Sequence, residues 1–116
     1  QIITATLAAH PDLAAVFATN DQGAIGAVTG LKQAGQNGLV KLVAYDAATA
    51  EVDALKNGDI QALIAQNPNA EGVVAMQTAD ALIKGEKVEK NILTELVVIR
   101  EGDMDAAAKY EYHAGC

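Results

Sequence analysis

Three polar side chains stand where chemistry could be done, and their types define which chemistry. Asn20 follows the run VFAT, Asp46 follows LVAY, and Gln66 follows LIA, at separations of 26 and 20 residues. Each separation is the length of one strand plus one helix, so the three tips lie side by side if the strands are neighbours. An amide, a carboxylate and an amide can donate to and accept from hydroxyls, and the carboxylate can accept from two at once. Such a set suits a neutral polyhydroxylated molecule and suits an anion poorly, because Asp46 would repel it. Asn20, Asp21 and Asp46 are also types that cap helices and form turns, so each taken singly has a purely structural role open to it. Gln66 is different: glutamine is not a preferred cap, and the following Pro68 leaves it in a non-helical segment.

Other chemistries find no footing. Serine is absent, which excludes a serine nucleophile, and Cys116 at the extreme terminus is a poor place for an activated thiolate. His10 and His113 lie far apart, and with one cysteine they make no metal constellation. Asp21, Asp46 and Asp53 could be combined as acid and base, but no histidine or metal pattern accompanies them. Gly23, Gly26 and Gly30 sit three and four apart inside a helical segment, matching no phosphate-loop pattern; close packing of the helix on a sheet explains them better. The expectation is a binding protein, not an enzyme, with no catalytic residues, no metal and no cofactor.

The elements that must position the three tips follow from hydrophobic period. Residues 13–19 form an apolar run, and Ala24, Ile25, Ala27, Val28, Leu31 and Ala34 then recur at helical spacing until Gly35. Residues 39–45 read as the next strand. Asp46 or Thr49 can cap a second helix with apolar face Val52 and Leu55, ended by Asn57-Gly58. Residues 60–65 form a third strand, residues 70–84 a third helix stopped by Gly85, and residues 92–99 a fourth strand. Gln1 to His10 reads as one more helix, broken before Pro11. Strands apolar on both faces, alternating with helices through short connections, specify an α/β protein: a parallel sheet with helices on both faces. Residues 102–116 are polar and weakly patterned and read as a tail.

The chain has 116 residues, 51% of them apolar, with 15 acidic against 8 basic side chains for a net charge of −7. The apolar fraction excludes a disordered tail, and the solitary cysteine excludes a disulfide-stapled miniprotein. Bases are scattered, leaving no cationic face for nucleic acid. No apolar run approaches the ~18 residues of a membrane span. The chain opens on Gln1 with no initiating methionine or leader, and so reads as a segment of something longer.

Three stretches, VFATNDQGAIGAVTGLKQAG, LVAYDAATAEVDALKNGDIQALIAQNP and EGVVAMQTADALIKGEKV, resemble the C-terminal portion of type I periplasmic sugar-binding proteins, the ribose-binding group of ABC-transporter receptors. The likeness runs from about Ala8 to Ile99. It implies that Asn20, Asp46 and Gln66 contact sugar hydroxyls from the C-terminal lobe. Glutamine at the third position implies a pentose. Ala47 departs from the glycine that often follows the aspartate, and Tyr45 replaces a common phenylalanine.

The resemblance implies a division of the chain as well. Residues 1–66 would supply βα units of the C-terminal lobe, 67–93 a segment packing on an N-terminal lobe that this sequence lacks, 94–101 a returning strand, and 102–116 the tail. The helix over 70–84 would then need a partner: the missing lobe, a second copy of the chain, or its own sheet after local refolding. Micromolar sugar affinity requires about 8 kcal/mol. Three side chains supply about 4 to 6 kcal/mol before the entropy of association is subtracted, so the chain alone is expected to bind weakly or not at all.

A neutral sugar, a membrane permease reached through the full-length protein, and an exported location with the signal peptide outside this segment complete what the likeness implies. The alternative is the sugar-sensing effector domain of a LacI-type transcriptional repressor. Against it stand the A-Q-N-P end of the third strand and Ala47, where repressors usually carry a second acid.

Overall fold

The computed structural model describes residues 1–113. Its elements are α1 (Ile2–Ala9), β1 (Ala15–Ala18), α2 (Asp21–Gln33), β2 (Lys41–Tyr45), α3 (Thr49–Lys56), β3 (Ala62–Ala65), α4 (Pro68–Ile83), β4 (Val97–Arg100) and α5 (Met104–Tyr110). The four strands form one sheet in the order β1-β2-β3-β4. The first three are parallel, with Ala18 beside Ala44 and Tyr45 beside Ile64. The α/β alternation is the one expected from the apolar periods. The fourth strand differs: β4 runs antiparallel to β3, with Val97 beside Ala65 and Arg100 beside Ala62. The chain leaves the sheet after β3 as α4 and comes back from the same end, so no crossover connection turns β4 parallel.

Pleating sorts the strand residues into two faces. Leu42, Ala44, Leu63, Ala65 and Ile99 are buried together with Ala24, Ala27, Val28 and Leu31 of α2 and Val52 and Leu55 of α3. The opposite face carries Phe17, Val43, Tyr45, Ile64 and Val98, and there Phe17 and Val98 keep 54% and 47% of their surface exposed. Helices were expected on both faces, but the α2–α3 layer covers one, and the apolar second face stays open among the described residues. The residues read as a tail contribute α5, whose Ala107 and Tyr110 join the same buried cluster.

Helix α1 lies against α2 with Ile3 over Gly30. A Cβ on Gly30 would sit 2.8 Å from the Cβ of Ile3, whereas one on Gly26, an exposed position of the same helix, would meet nothing within 4 Å. Gly26→Ala is therefore expected to raise stability by about 0.5 to 1 kcal/mol through helix propensity. Gly30→Ala is expected to lower it by about 1 kcal/mol, because overpacking outweighs that gain. Paired urea denaturation curves check both, and two shifts of the same sign would refute this packing.

Helix α4 stands apart. None of its residues is buried, and Met76 and Ile83 are 73% and 87% exposed. The segment at 86–96 runs back beside it, with Thr94 Oγ1 donating to Glu71 at 3.3 Å. The radius of gyration is accordingly 17.5 Å, against about 13 Å for a compact domain of this length.

Candidate functional site

The carboxyl ends of β1, β2 and β3 lie at one edge of the sheet, where ligands bind open α/β folds. Register sets the levels. Ala18 pairs with Ala44, so Asn20 and Asp46, each two residues further on, stand at the same height on neighbouring strands. Tyr45 pairs with Ile64, which places Gln66 one step beyond Asp46 on the third strand.

Gln66 Nε2 donates to Asp46 Oδ1 at 2.7 Å, so two of the three candidates touch. Asp46 Oδ2 accepts no hydrogen bond among the described residues. Asp46 also has φ +95°, the one positive value outside glycine among the described residues. An aspartate tolerates the left-handed region better than most residues, and the turn that follows is held on three sides. Asp46 N–H donates to Ile64 O at 2.9 Å, Tyr112 N–H donates to Ala47 O at 3.1 Å, and Ala48 N–H donates to Glu51 Oε2 at 3.0 Å.

Asn20 caps α2, its Oδ1 accepting from Gly23 N–H at 2.7 Å, which leaves its amide N–H groups for another partner. The structural alternative is thus met at Asn20, and also at Asp21, whose Oδ1 accepts from Gln22 N–H. At Asp46 only its turn half is met, through the positive φ, and not its capping half. The position before α3 is Ala48, not Asp46 or Thr49, and alanine has no side-chain acceptor. What holds the start of α3 is the reverse bond from Glu51.

Glu51 and Tyr112 lie beside this turn. Glu51 is fully buried, and its Oε1 has no partner among the described residues. Burial pushes its carboxyl up to about 7, partly offset by the Ala48 bond, with Asp46 and Asp21 adding repulsion. Tyr112 is pushed up to about 12, again chiefly by burial and then by Asp46, Glu51 and Asp21. It belongs to the stretch read as a tail, which α5 returns to the site. His113 meets Thr49 Oγ1 through Nδ1 at 2.9 Å. Cys116 lies outside the described residues.

Among the described residues no group of three or more His, Cys, Asp and Glu is placed to hold a metal ion, and no helix is long and apolar enough to cross a membrane. An apolar hollow of about 630 Å³ lies between α1, β1 and the start of α2 and is lined by Ile3, Val16, Phe17 and Ala27 among others. It carries little that could orient a polyol.

A four-stranded sheet flanked by helices, with an amide and a carboxylate in contact past its strand ends, is an α/β fold of the periplasmic-binding-protein type. The comparisons agree: residues 1–87 match the periplasmic binding protein domain, and the chain belongs to that family, on the side of its ribose-binding-like members. It is 43% identical over 95 residues to the ribose import binding protein of Haemophilus influenzae, covering 82% of this chain and 32% of that one. With its Escherichia coli counterpart it shares 40% over 93 residues, covering 80% and 31%. The chain thus spans about a third of the length of these relatives. Among solved structures, an ABC-transporter solute-binding protein of Agrobacterium vitis bound to α-D-tagatopyranose aligns with TM-score 0.90 and 36% identity over 97% of this chain and 39% of that one. One from Agrobacterium radiobacter in complex with D-arabinose aligns with TM-score 0.84 and 30% identity over 94% and 38%. The relatives are sugar-binding transport proteins, which does not favour the repressor alternative.

Proposed function

We propose that this chain forms the C-terminal-lobe part of a receptor that binds a neutral monosaccharide, a pentose by preference, and delivers it to the permease of an ABC transporter without altering it. Asn20, Asp46 and Gln66 contact the sugar. Asn20 donates from its amide, Asp46 accepts hydroxyls at Oδ2, and Gln66 steadies Asp46 while offering its own carbonyl. The observation that carries this reading is the Asp46–Gln66 bond at the strand ends: it fixes a carboxylate beside an amide and leaves one carboxylate oxygen unengaged. The names of the relatives, ribose import binding proteins among them, support a sugar as ligand.

Residues 1–66 and 94–101 build the lobe, and residues 67–93 reach to the other lobe. The exposed apolar side chains of α4 favour this division. The protein works outside the cytoplasmic membrane, in the periplasm or its equivalent. Contacts from one lobe alone do not add up to micromolar affinity, so the second lobe is part of the binding site.

Calorimetric titration of D-ribose, D-arabinose, D-galactose and D-gluconate into the full-length protein carrying this chain, and into residues 1–116 alone, tests the proposal. A neutral pentose is expected to bind at micromolar or lower Kd to the full-length protein. Gluconate is expected to bind at least tenfold more weakly, and the isolated chain at least a hundredfold more weakly. Absence of binding by every neutral sugar, or preference for gluconate, would refute it.

A further inference from the structure

We propose that Glu51 is a positioning residue for the sugar site: buried beneath the turn at 46–48, it holds the Ala48 amide and thereby aims the Asp46 carboxylate. This rests on the assignment of Asp46 as a sugar contact made above.

The turn needs such a support. Asp46 adopts a left-handed backbone that must be held by its surroundings. The residue at the cap of α3 is alanine, so no cap side chain satisfies the first amides of the helix, and only its backbone carbonyl accepts from Glu51 and Val52. Glu51 reaches back three residues and accepts the Ala48 N–H at 3.0 Å, which is half of a capping box with the other half missing. Its second oxygen, buried and without a partner, is an arrangement that structure alone does not favour. A buried carboxyl with one free oxygen is costly to ionise and close enough to Asp46 for the two charges to interact.

That proximity gives the site a pH dependence. The ionisable groups facing Glu51 are Asp46 and Asp21 on the strand-end side and Tyr112 from the segment after α5; His113 borders the same turn through Thr49. Enclosing sugar around Asp46 removes solvent from around its carboxylate, which weakens screening and strengthens its repulsion of Glu51 whenever Glu51 is charged. Binding therefore favours protonated Glu51, and affinity falls as pH rises through about 7.

The test is calorimetric titration, at pH 6 and pH 8.5, of the neutral sugar selected by the panel above into the full-length protein and its variants. Wild type is expected to lose about three- to tenfold in affinity between the two pH values, a shift of up to one pKa unit on binding. Glu51→Gln keeps an acceptor for Ala48 but carries no charge, and is expected to hold its affinity within about twofold across the range. His113→Asn is expected to keep the wild-type profile. Glu51→Ala, with the far-ultraviolet spectrum unchanged, is expected to bind at least fivefold more weakly at pH 6. A wild-type pH profile in Glu51→Gln, or wild-type affinity in a folded Glu51→Ala, overturns the proposal. Asp46→Ala distinguishes the two levels: unchanged affinity there brings down the site assignment and this proposal with it, whereas lost affinity there with intact binding in both Glu51 variants brings down only the role of Glu51.

Discussion

Asp46→Ala in the full-length protein lowers affinity for the neutral sugar by at least about 1.5 kcal/mol, more than tenfold, because a hydrogen bond to a charged acceptor contributes that much or more when buried. Two losses combine. The sugar hydroxyl that Oδ2 would accept is left in a closed site without its partner, and Gln66 Nε2 loses the oxygen that fixes it at 2.7 Å. Alanine is also strained at φ +95°, which lowers the stability of the unliganded protein. Asp46→Asn separates the effects, since asparagine accepts this backbone almost as readily while it removes the charge and one of the two acceptor oxygens. Its affinity is expected to fall between those of wild type and the alanine variant, with a melting temperature near wild type. Calorimetric titration measures the first and thermal unfolding the second. Unchanged sugar affinity in both variants would remove Asp46 from the site.

The residues that forecast this architecture did so through period and punctuation. Ala24, Ala27, Val28 and Leu31 recur at helical spacing and are all buried on α2, and Gly35 after that helix has φ +65° as a helix stop demands. The strand ends were legible for the same reason: once β1, β2 and β3 are placed, Asn20, Asp46 and Gln66 fall at their tips. The fourth strand begins later than its apolar pattern suggests. Residues 92–96 carry the apolar pattern of a strand, yet Leu93 is 94% exposed beside α4 and pairing begins only at Val97. Hydrophobicity reports a need for cover and does not say which partner provides it. Its direction was equally hidden, because parallel and antiparallel strands share one period. Helix α5 leaves little signal in the sequence because MDAAAKY holds few large apolar residues and buries Ala107 and Tyr110 alone. Of the residues around Asp46, Tyr112 was lost with that segment. Glu51 was hidden because a glutamate on a helix is ordinarily solvated. A signal for it existed in A-A-T-A-E: a cap position without a side-chain acceptor, followed at the third helical residue by a glutamate.

The buried state of that glutamate fixes the sign of a second large effect. In the unfolded chain Glu51 ionises near the ordinary 4.5, and in the folded protein near 7. Below 4.5 both states hold the proton and Glu51 imposes no pH dependence. Between 4.5 and 7 the folded state holds more protons than the unfolded one, so stability falls as pH rises. Above 7 both are ionised and the dependence levels off. The interval corresponds to about 3 kcal/mol, a large share of the 5 to 15 kcal/mol typical of a domain. Urea midpoints of the full-length protein taken between pH 4.5 and 8 are expected to decline for wild type. Glu51→Gln, whatever constant offset its amide introduces, is expected to lack this decline, so that the gap between the two proteins shifts in favour of the variant by about 3 kcal/mol from acid to alkaline conditions. A gap that stays constant with pH would show that Glu51 ionises in the folded protein as it does in the unfolded one, and that the turn beneath Asp46 is not the buried place described above.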